Sequence, residues 1–316
     1  MDIRPKSDTE ESSLARHLGS YLNLHASGEL AARAKEAREI LACCDLCAHE
    51  CRVDRRRGGH GFCRVGDECV ISGYGPHFGE EDVLVGTGGS GTIFFTGCNL
   101  RCVFCQNWEI SHLREGMPVS AVRLAEIMVE LQERGCHNIN LVSPTPYLPS
   151  ILAALNEACG RGLNLPLVYN CGGYESLSAL RLLRAVIDIY MPDVKLAGED
   201  TGRRLTGAKG YFAAVKKALR EMHDQVGDLR VDEDGLAWRG LLVRHLVMPG
   251  GLAGTEEVLR FLAEEISPDT YVNIMGQYHP AFRAAEHPPL DRRISRAEYR
   301  EALETARRAG LWRFAR

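Results

Sequence analysis

The sequence predicts an α/β fold of parallel βα units, because six short apolar runs alternate with longer runs of helical character. These runs are apolar throughout, as in strands that are covered on both faces of a sheet. Six units are too few for a closed eight-stranded barrel. We therefore expect a partial (βα)6 TIM-like barrel, preceded by an N-terminal helical and cysteine-rich metal-binding segment.

Each predicted strand except the last is followed by a predicted helix. The strands are TIFFTG (92–97), NINLVS (138–143), PLVYN (166–170), VIDIYMPDV (186–194), LLVRHLVMP (241–249) and YVNIMGQY (271–278), and the helices lie near 120–134, 148–160, 176–184, 209–225 and 254–265. Residues 12–42 carry a further helical pattern, which Gly28 divides in two. The expected division is an N-terminal part at 1–75 and a barrel with a C-terminal helical extension at 76–316.

Composition narrows the class of protein. The chain has 316 residues, a formal net charge of −4 and 45% hydrophobic residues, so it can form a sizeable core and has no bulk attraction for nucleic acid. No apolar run has the length of a membrane span, and the polar N-terminus lacks a signal-peptide core. We therefore predict a cytoplasmic protein without membrane or nucleic-acid partners. In that compartment its 12 cysteines indicate metal binding or catalysis rather than disulfides.

Three cysteines follow the first predicted strand directly. In GTIFFTGCNLRCVFCQNWEIS, Cys98, Cys102 and Cys105 have the spacing C-x3-C-x2-C. Three thiolates can hold three irons of a 4Fe–4S cluster and leave the fourth iron open for a substrate or cofactor. A structural zinc site is the alternative, but zinc prefers four closed ligands. Phe104, before the last cysteine, would shield a cluster from water.

With Phe104 and the preceding strand and Gly97, this motif resembles the radical S-adenosylmethionine superfamily. The resemblance implies that the amino and carboxylate groups of S-adenosylmethionine chelate the open iron. It also implies that an electron from the cluster cleaves this cofactor to methionine and a 5′-deoxyadenosyl radical, which abstracts a hydrogen atom. From about Gly75 onward the chain looks most like the pyruvate formate-lyase activating enzyme and its uncharacterised relatives.

The later strands carry further matches to these enzymes: VYNCGGY (168–174), MPDVK (191–195), VRHLVMPG (243–250) and QYHP (277–280). The resemblance implies that Asp193 acts near the methionine moiety or a bound cation, with Lys195 nearby. It places Arg244 at the charged end of the cofactor and His279 beside its nucleoside. Each residue also has an ordinary interpretation: an Asp193–Lys195 ion pair, a surface arginine and a core histidine.

Two positions depart from the family pattern. The superfamily often shows Gly-Gly-Glu after the second strand, where this chain has SPTPY, and Ser143 and Thr145 are then the candidate oxygen donors. Asn170 stands where the activating enzymes have an aspartate. The cofactor-binding candidates are Ser143, Thr145, Asn170, Asp193, Lys195, Arg244 and His279.

A second cysteine set precedes the barrel. Cys44, Cys47, Cys51 and Cys63 have the spacing C-x2-C-x3-C-x11-C in a glycine-rich loop, which predicts one metal site. The long last gap slightly favours structural zinc, whereas the close packing of the first three thiols favours a second cluster that relays electrons. The run Arg55–Arg57 is expected to be a solvated face.

Three functions are compatible with the sequence. The first is hydrogen abstraction from a protein substrate, as in a glycyl-radical activase; the second is the same chemistry on a small molecule or peptide. The third is a non-catalytic iron–sulfur electron carrier or scaffold, for which an open iron has no use. The two enzymes would need a reductant such as flavodoxin or ferredoxin.

Overall fold

The computed structural model describes residues 18–315 of the chain. The strands in this range are β1 (Cys69–His77), β2 (Ser90–Phe95), β3 (Met117–Val119), β4 (Ile139–Val142), β5 (Leu167–Cys171), β6 (Ile189–Pro192), β7 (Arg230–Val231), β8 (Ala237–Leu246) and β9 (Tyr271–Met275). The α-helices are α1 (Tyr21–Ala26), α2 (Glu29–Ile40), α3 (Asp82–Val85), α4 (Ala121–Glu133), α5 (Leu148–Gly160), α6 (Leu177–Leu182), α7 (Glu199–Thr206), α8 (Tyr211–Val226), α9 (Thr255–Phe261) and α10 (Arg296–Arg308).

The predicted α/β architecture is confirmed. Strands β2, β4, β5, β6, β8 and β9 pair in that order, and every one of these pairings is parallel. They are the six predicted strands, with bounds that differ by a few residues. Their carboxyl ends therefore meet at one rim, which is where a βα barrel carries its functional groups.

Local chemistry explains where the helices begin. The side chains of Ser120, Ser176 and Ser295 accept hydrogen bonds from backbone N–H groups in the first turns of α4, α6 and α10, respectively. In α10 the side chain of Glu298 also bonds back to the cap backbone, which completes a capping box. Gly28 precedes α2 in a left-handed conformation, so the predicted break between the two N-terminal helices is confirmed. The part of that helix prediction before residue 18 lies outside the described residues.

The N-terminal helices pack on the barrel. The backbone N–H of Ser20 donates to Asp188 Oδ1 over 2.9 Å, and the Tyr21 hydroxyl donates to the carbonyl of Leu165 over 2.9 Å. Leu30 of α2 is fully buried. The division of the chain at residue 75 stays a prediction.

Additional strands cover one edge of the open barrel, and a C-terminal segment covers part of the other. On one side β1 pairs antiparallel with β2, and β3 pairs antiparallel with β1. On the other side, the N–H of Val272 in β9 donates to the carbonyl of Arg313, and the N–H of Ala315 donates to that of Val272. Across residues 18–315, no pairing joins β9 to β1 or β2, so the barrel stays open. Within the same range, no helix combines the length and apolar character needed to cross a bilayer.

Candidate active site

A cavity of about 280 Å³ opens at the carboxyl ends of the parallel strands. Cys98, Cys102 and Cys105 line one side of it, and charged side chains from β8 and from the residues just after β6 line the other. Gly97 turns the chain from β2 into the cysteine loop with a φ of +67°, and a Cβ there would lie 2.6 Å from Val65 Cγ2. Glycine is therefore the residue that fits this turn.

The three thiols sit in a mostly apolar and donor-rich setting. Phe104 is buried and lines the cavity beside them, as predicted from the motif. The N–H of Leu100 lies 3.4 Å from Cys98 Sγ, and Ser111 Oγ lies 3.1 Å from Cys105 Sγ. Burial raises the pKa of Cys98 to about 11, so this thiol is protonated at neutral pH in the absence of a bound cation. Iron binding would therefore release its proton.

A charged network forms the opposite wall. Asp193 accepts a hydrogen bond from Lys195 Nζ on Oδ2 and from Arg244 Nε on Oδ1, the latter over 2.7 Å. Arg244 Nη2 donates to Asn170 Oδ1 over 2.6 Å, and its Nη1 lies 3.5 Å from Glu80 Oε2. The Asp193–Lys195 pair is thus real, but it belongs to the cavity wall, and Arg244 is not a surface arginine because its side chain is 16% exposed.

The neighbouring cations keep Asp193 ionised. Burial alone would raise the pKa of Asp193, but the nearby charges of Arg244 and Lys195 outweigh it and lower the pKa to about 2. Burial raises the pKa of Glu80, and Arg244 offsets part of that effect. The wall consequently presents both cations and anions to whatever the cavity binds.

The structure places the remaining cofactor candidates in different positions. Ser143 lines the cavity with a φ of +58°, and its N–H donates to the carbonyl of Asn170 over 2.9 Å. Thr145 is buried behind the cavity lining, where it donates to Glu175 over 3.0 Å. His279 lies at the rim, 3.3 Å from the amide of Gln106, and does not line the cavity.

Two acidic residues near the site were not identified from the sequence. Glu80 follows β1, a strand that the pattern did not predict. Glu175 is fully enclosed and accepts hydrogen bonds from Thr145 and Tyr169; burial raises its pKa to about 7. No motif pointed to either residue, because each depends on contacts with distant parts of the chain.

The second cysteine set lies against the first cysteine loop. Cys47 forms a backbone bridge with Glu175, and the His49 ring nitrogen Nε2 lies 2.9 Å from the carbonyl oxygen of Asn99, the residue after Cys98. The His49 ring also stacks on Phe62, with 3.8 Å between ring centroids. Side chains of Cys44, Cys51 and Cys63 are near enough to interact electrostatically. The segment is therefore held in place against the barrel by backbone and ring contacts.

Arg55 corrects one sequence expectation. It was expected to be solvated with its two neighbours, but it is 2% exposed. Its guanidinium donates to the carbonyls of Gly66 and Pro146, and it lies 3.8 Å from Cys44 Sγ. A run of arginines is solvated only where no backbone carbonyls are close enough to accept hydrogen bonds from the guanidinium groups. Here a loop 91 residues away supplies one of them.

The donor sets can be compared with the metals that they would bind. As the described side chains stand, no group of three or more His, Cys, Asp or Glu is arranged to hold a metal ion. In a 4Fe–4S cluster each thiolate binds its own iron, so the thiols stay further apart than the ligands of a single ion. Three thiols around one end of a cavity, beside a buried aromatic ring, therefore fit a cluster with an open iron.

Comparisons with known proteins define the class. The family model of the radical SAM superfamily matches residues 92–233. The chain belongs to this superfamily and is a radical SAM enzyme; the superfamily implies a 4Fe–4S cluster and S-adenosylmethionine. The uncharacterised protein MJ0674 of Methanocaldococcus jannaschii is 35% identical over 285 residues, which cover 87% of this chain and 77% of that protein. The resemblance to the pyruvate formate-lyase activating enzyme stays a prediction.

Two solved structures are similar at low identity. Streptococcus suis SuiB bound to its precursor peptide SuiA gives a TM-score of 0.48 at 14% identity, covering 69% of this chain and 46% of that chain. TYW1 with a lysine–pyruvate adduct gives a TM-score of 0.36 at 12% identity, covering 57% of this chain and 63% of that one. This chain thus matches less than two thirds of either structure. So distant a likeness says nothing of what this chain binds.

Proposed function

We propose that Cys98, Cys102 and Cys105 hold a 4Fe–4S cluster and that the adjoining cavity binds S-adenosylmethionine. The observation that carries this proposal is the single cavity that joins three thiols to a wall of both charge signs. A zwitterion with a sulfonium needs an anion and a cation close by, and Asp193 and Arg244 are such a pair. When bound, the cluster supplies the electron that cleaves the cofactor to a radical able to abstract hydrogen.

The chain's own residues prepare the cavity. Asp193 fixes Lys195 and Arg244 by hydrogen bonds, so their positive charges are held in position before the cofactor arrives. Asn170 accepts from Arg244, which orients the guanidinium without adding a negative charge. Phe104 restricts the access of water to the thiols. Ser143 adds a hydroxyl to the lining, whereas Thr145 and His279 act from outside it in this proposal.

We infer that the substrate is a protein, as for a glycyl-radical activase. A cavity of about 280 Å³ lies just below the usual range of small-ligand pockets, about 300–1,000 Å³, so the cofactor alone would fill it. The reacting group must then enter through the mouth. Exposed amide side chains, Gln106, Asn107 and Gln277, line that mouth and can pair with a polypeptide backbone. A small molecule or free peptide is the alternative.

The test compares the anaerobic wild type with a Cys98/Cys102/Cys105→Ala variant. A Cys43/Cys136/Cys159→Ala variant removes three other thiols and serves as the matched control. With dithionite and S-adenosylmethionine, the wild type and the control should bind about four irons at this site and form 5′-deoxyadenosine. The first variant should do neither. A wild type that binds no iron, or never cleaves the cofactor, refutes the proposal and favours a carrier or scaffold.

Deuterium transfer separates the two substrate classes. Cells that encode the chain are grown with α-deuterated glycine, and their extract is divided into macromolecular and small-molecule fractions. A protein substrate activated at glycine predicts deuterium in the 5′-deoxyadenosine only when the macromolecular fraction is added. Turnover that depends on the small-molecule fraction instead would favour the alternative.

We also propose that Cys44, Cys47, Cys51 and Cys63 hold a second metal centre, either structural zinc or a relay cluster. The support is the position of these thiols near one another in a segment fixed by His49 and Arg55. Metal analysis of the Cys98/Cys102/Cys105→Ala variant decides between the two. One zinc per chain indicates a structural site. About four residual irons indicate a cluster, and no metal at all refutes the second centre.

A further inference from the structure

Three arginines lie beside the two cysteine sets but outside the cavity. Arg101 directly precedes Cys102, and Arg64 directly follows Cys63. Arg64 and Arg114 line a separate surface cleft, which Asp67 and Glu68 also line, and none of the three arginines lines the cavity. We refer to Arg64, Arg101 and Arg114 as the guanidinium patch.

The charges of the guanidinium patch are close together and lack carboxylate partners. Arg114 Nη1 donates to the backbone carbonyl of Arg64 over 2.6 Å, and the Arg101 guanidinium stands 5.0 Å from the centroid of the Phe62 ring. Phe62 itself lies two residues before Arg64 in the chain. Among the described residues, none of the three arginines forms an ion pair. A patch of this kind attracts a negatively charged partner.

Backbone conformation gives a second, independent indication. Arg64 has a φ of +58° and Arg114 a φ of +64°, both in the left-handed region. A residue with a Cβ is strained there, whereas glycine is not. Arginine at both positions therefore disfavours the local fold. Strained residues of this sort concentrate at functional surfaces.

The position of the patch relates it to the thiols. The ring Nε2 of His112 lies 3.2 Å from the carbonyl oxygen of Cys102. Arg64 adjoins Cys63 of the second cysteine set. A protein bound over the patch would thus stand against both cysteine sets and leave the mouth of the cavity free for substrate.

We propose that the guanidinium patch is the docking surface for the electron donor, an acidic one-electron carrier protein. This inference rests on the proposed function, because only a cluster that must be reduced needs such a donor. One electron passes from the reduced flavin or iron–sulfur centre of the carrier to the cluster; the carrier is oxidised, and no bond forms or breaks. Charge complementarity favours this occupant.

The test measures cluster reduction by stopped-flow absorbance, with purified flavodoxin hydroquinone as the probe. The variants are Arg64→Glu/Arg114→Glu and Arg64→Gly/Arg114→Gly. Arg296→Glu/Arg300→Glu is the matched control, because it makes the same charge change on exposed residues of α10. Photoreduced deazaflavin, an uncharged small reductant, is used in parallel to drive 5′-deoxyadenosine formation.

The glutamate pair should lower the second-order rate constant with flavodoxin by about tenfold or more and flatten its dependence on ionic strength. The glycine pair should lower it less, with a melting temperature equal to or above that of the wild type. The control should stay near the wild-type rate, and all variants should turn over with deazaflavin. Wild-type flavodoxin rates in both patch variants overturn the docking proposal. Absence of turnover with deazaflavin in the wild type overturns the proposed function instead. If the glutamate pair does not fold, the glycine pair decides alone.

Discussion

Replacing Asp193 with asparagine should destabilise the metal-free protein substantially. The carboxylate lies between Lys195 and Arg244, and the side chains of all three are less than one fifth exposed. Asparagine keeps the size of the side chain but removes its charge, so two cations are left in the wall without their main partner. Breaking a buried ion pair in this way is strongly unfavourable.

The size of the effect follows from the pKa of Asp193. Its two cationic partners lower this pKa from an ordinary 3.8 to about 2. One pKa unit corresponds to about 1.4 kcal/mol, so the charged form stabilises the fold by roughly 2.4 kcal/mol at neutral pH. Uncompensated buried charges cost about 3–5 kcal/mol, but Arg244 retains Asn170 and Glu80 as partners. We expect a loss of about 3 kcal/mol.

Urea unfolding of the metal-free protein at constant ionic strength measures this loss. A carboxyl group whose folded pKa is lowered stabilises the protein above its unfolded pKa and loses that effect as the pH falls through the folded pKa. The difference between the wild type and Asp193→Asn should therefore be full at pH 7, begin to shrink below about 4 and approach its minimum near 2.

Asp234→Asn is the matched control, because Asp234 is exposed in a turn and only its backbone N–H is hydrogen-bonded. Its effect should stay within about 0.5 kcal/mol. A loss for Asp193→Asn no larger than that of the control, or a loss that does not change with pH, would refute the account of the charged wall.

Three further substitutions test other parts of the structure. Burial raises the pKa of Asp188 to about 6, so the wild type should lose about 3 kcal/mol of stability as the pH rises from 4 to 6. Asp188→Asn should abolish this loss, and an unchanged profile of urea midpoint against pH would contradict the prediction. Arg55→Lys should lower the free energy of unfolding in urea by about 2–3 kcal/mol, because the carbonyls of Gly66 and Pro146 lose their donors. Arg57→Lys, at an exposed position, should leave it unchanged. Equal effects of the two substitutions would argue against a buried role of Arg55. Gly97→Ala should lower the free energy of unfolding by about 2 kcal/mol or more, measured by thermal unfolding, and should reduce iron uptake. Gly28→Ala is the control, because Gly28 has a similar φ but no atom near the added Cβ, and it should cost about 1 kcal/mol. Equal costs would show that the contact with Val65 does not destabilise the fold.

The barrel strands were predictable because each is a continuous apolar run. Such runs need no partner information to be recognised, since both faces are buried. Strand β1, CVISGYGPH, was missed because Gly73, Gly75 and Pro76 are residues of turns rather than of strands. It forms because β2 offers it an edge to pair with. Helix α7 was missed because it is short and highly charged, contains a glycine, and has Leu205 as its one large apolar residue.

The residues of the candidate site at strand ends were predictable, whereas those in loops that contact distant parts of the chain were not. Asp193 and Arg244 could be placed together because the carboxyl ends of parallel strands share one rim. Glu80 reaches Arg244 from a loop after a strand that was not foreseen, across 164 residues of chain. The burial of Arg55 likewise depends on a distant carbonyl. The spacing of residues along the sequence does not predict contacts between such distant parts of the chain.

The covered sheet edges have a consequence for the solubility of an unclosed barrel. A free strand edge offers unpaired N–H and carbonyl groups, on which another chain can add a strand and begin to aggregate. In this protein β1 and β3 occupy one edge, and Pro118 in β3 lacks the N–H that further pairing would need. Residues 313–315 occupy part of the other edge, at Val272. The gap in the barrel wall can therefore serve as an entrance for substrate without also acting as a template for self-association.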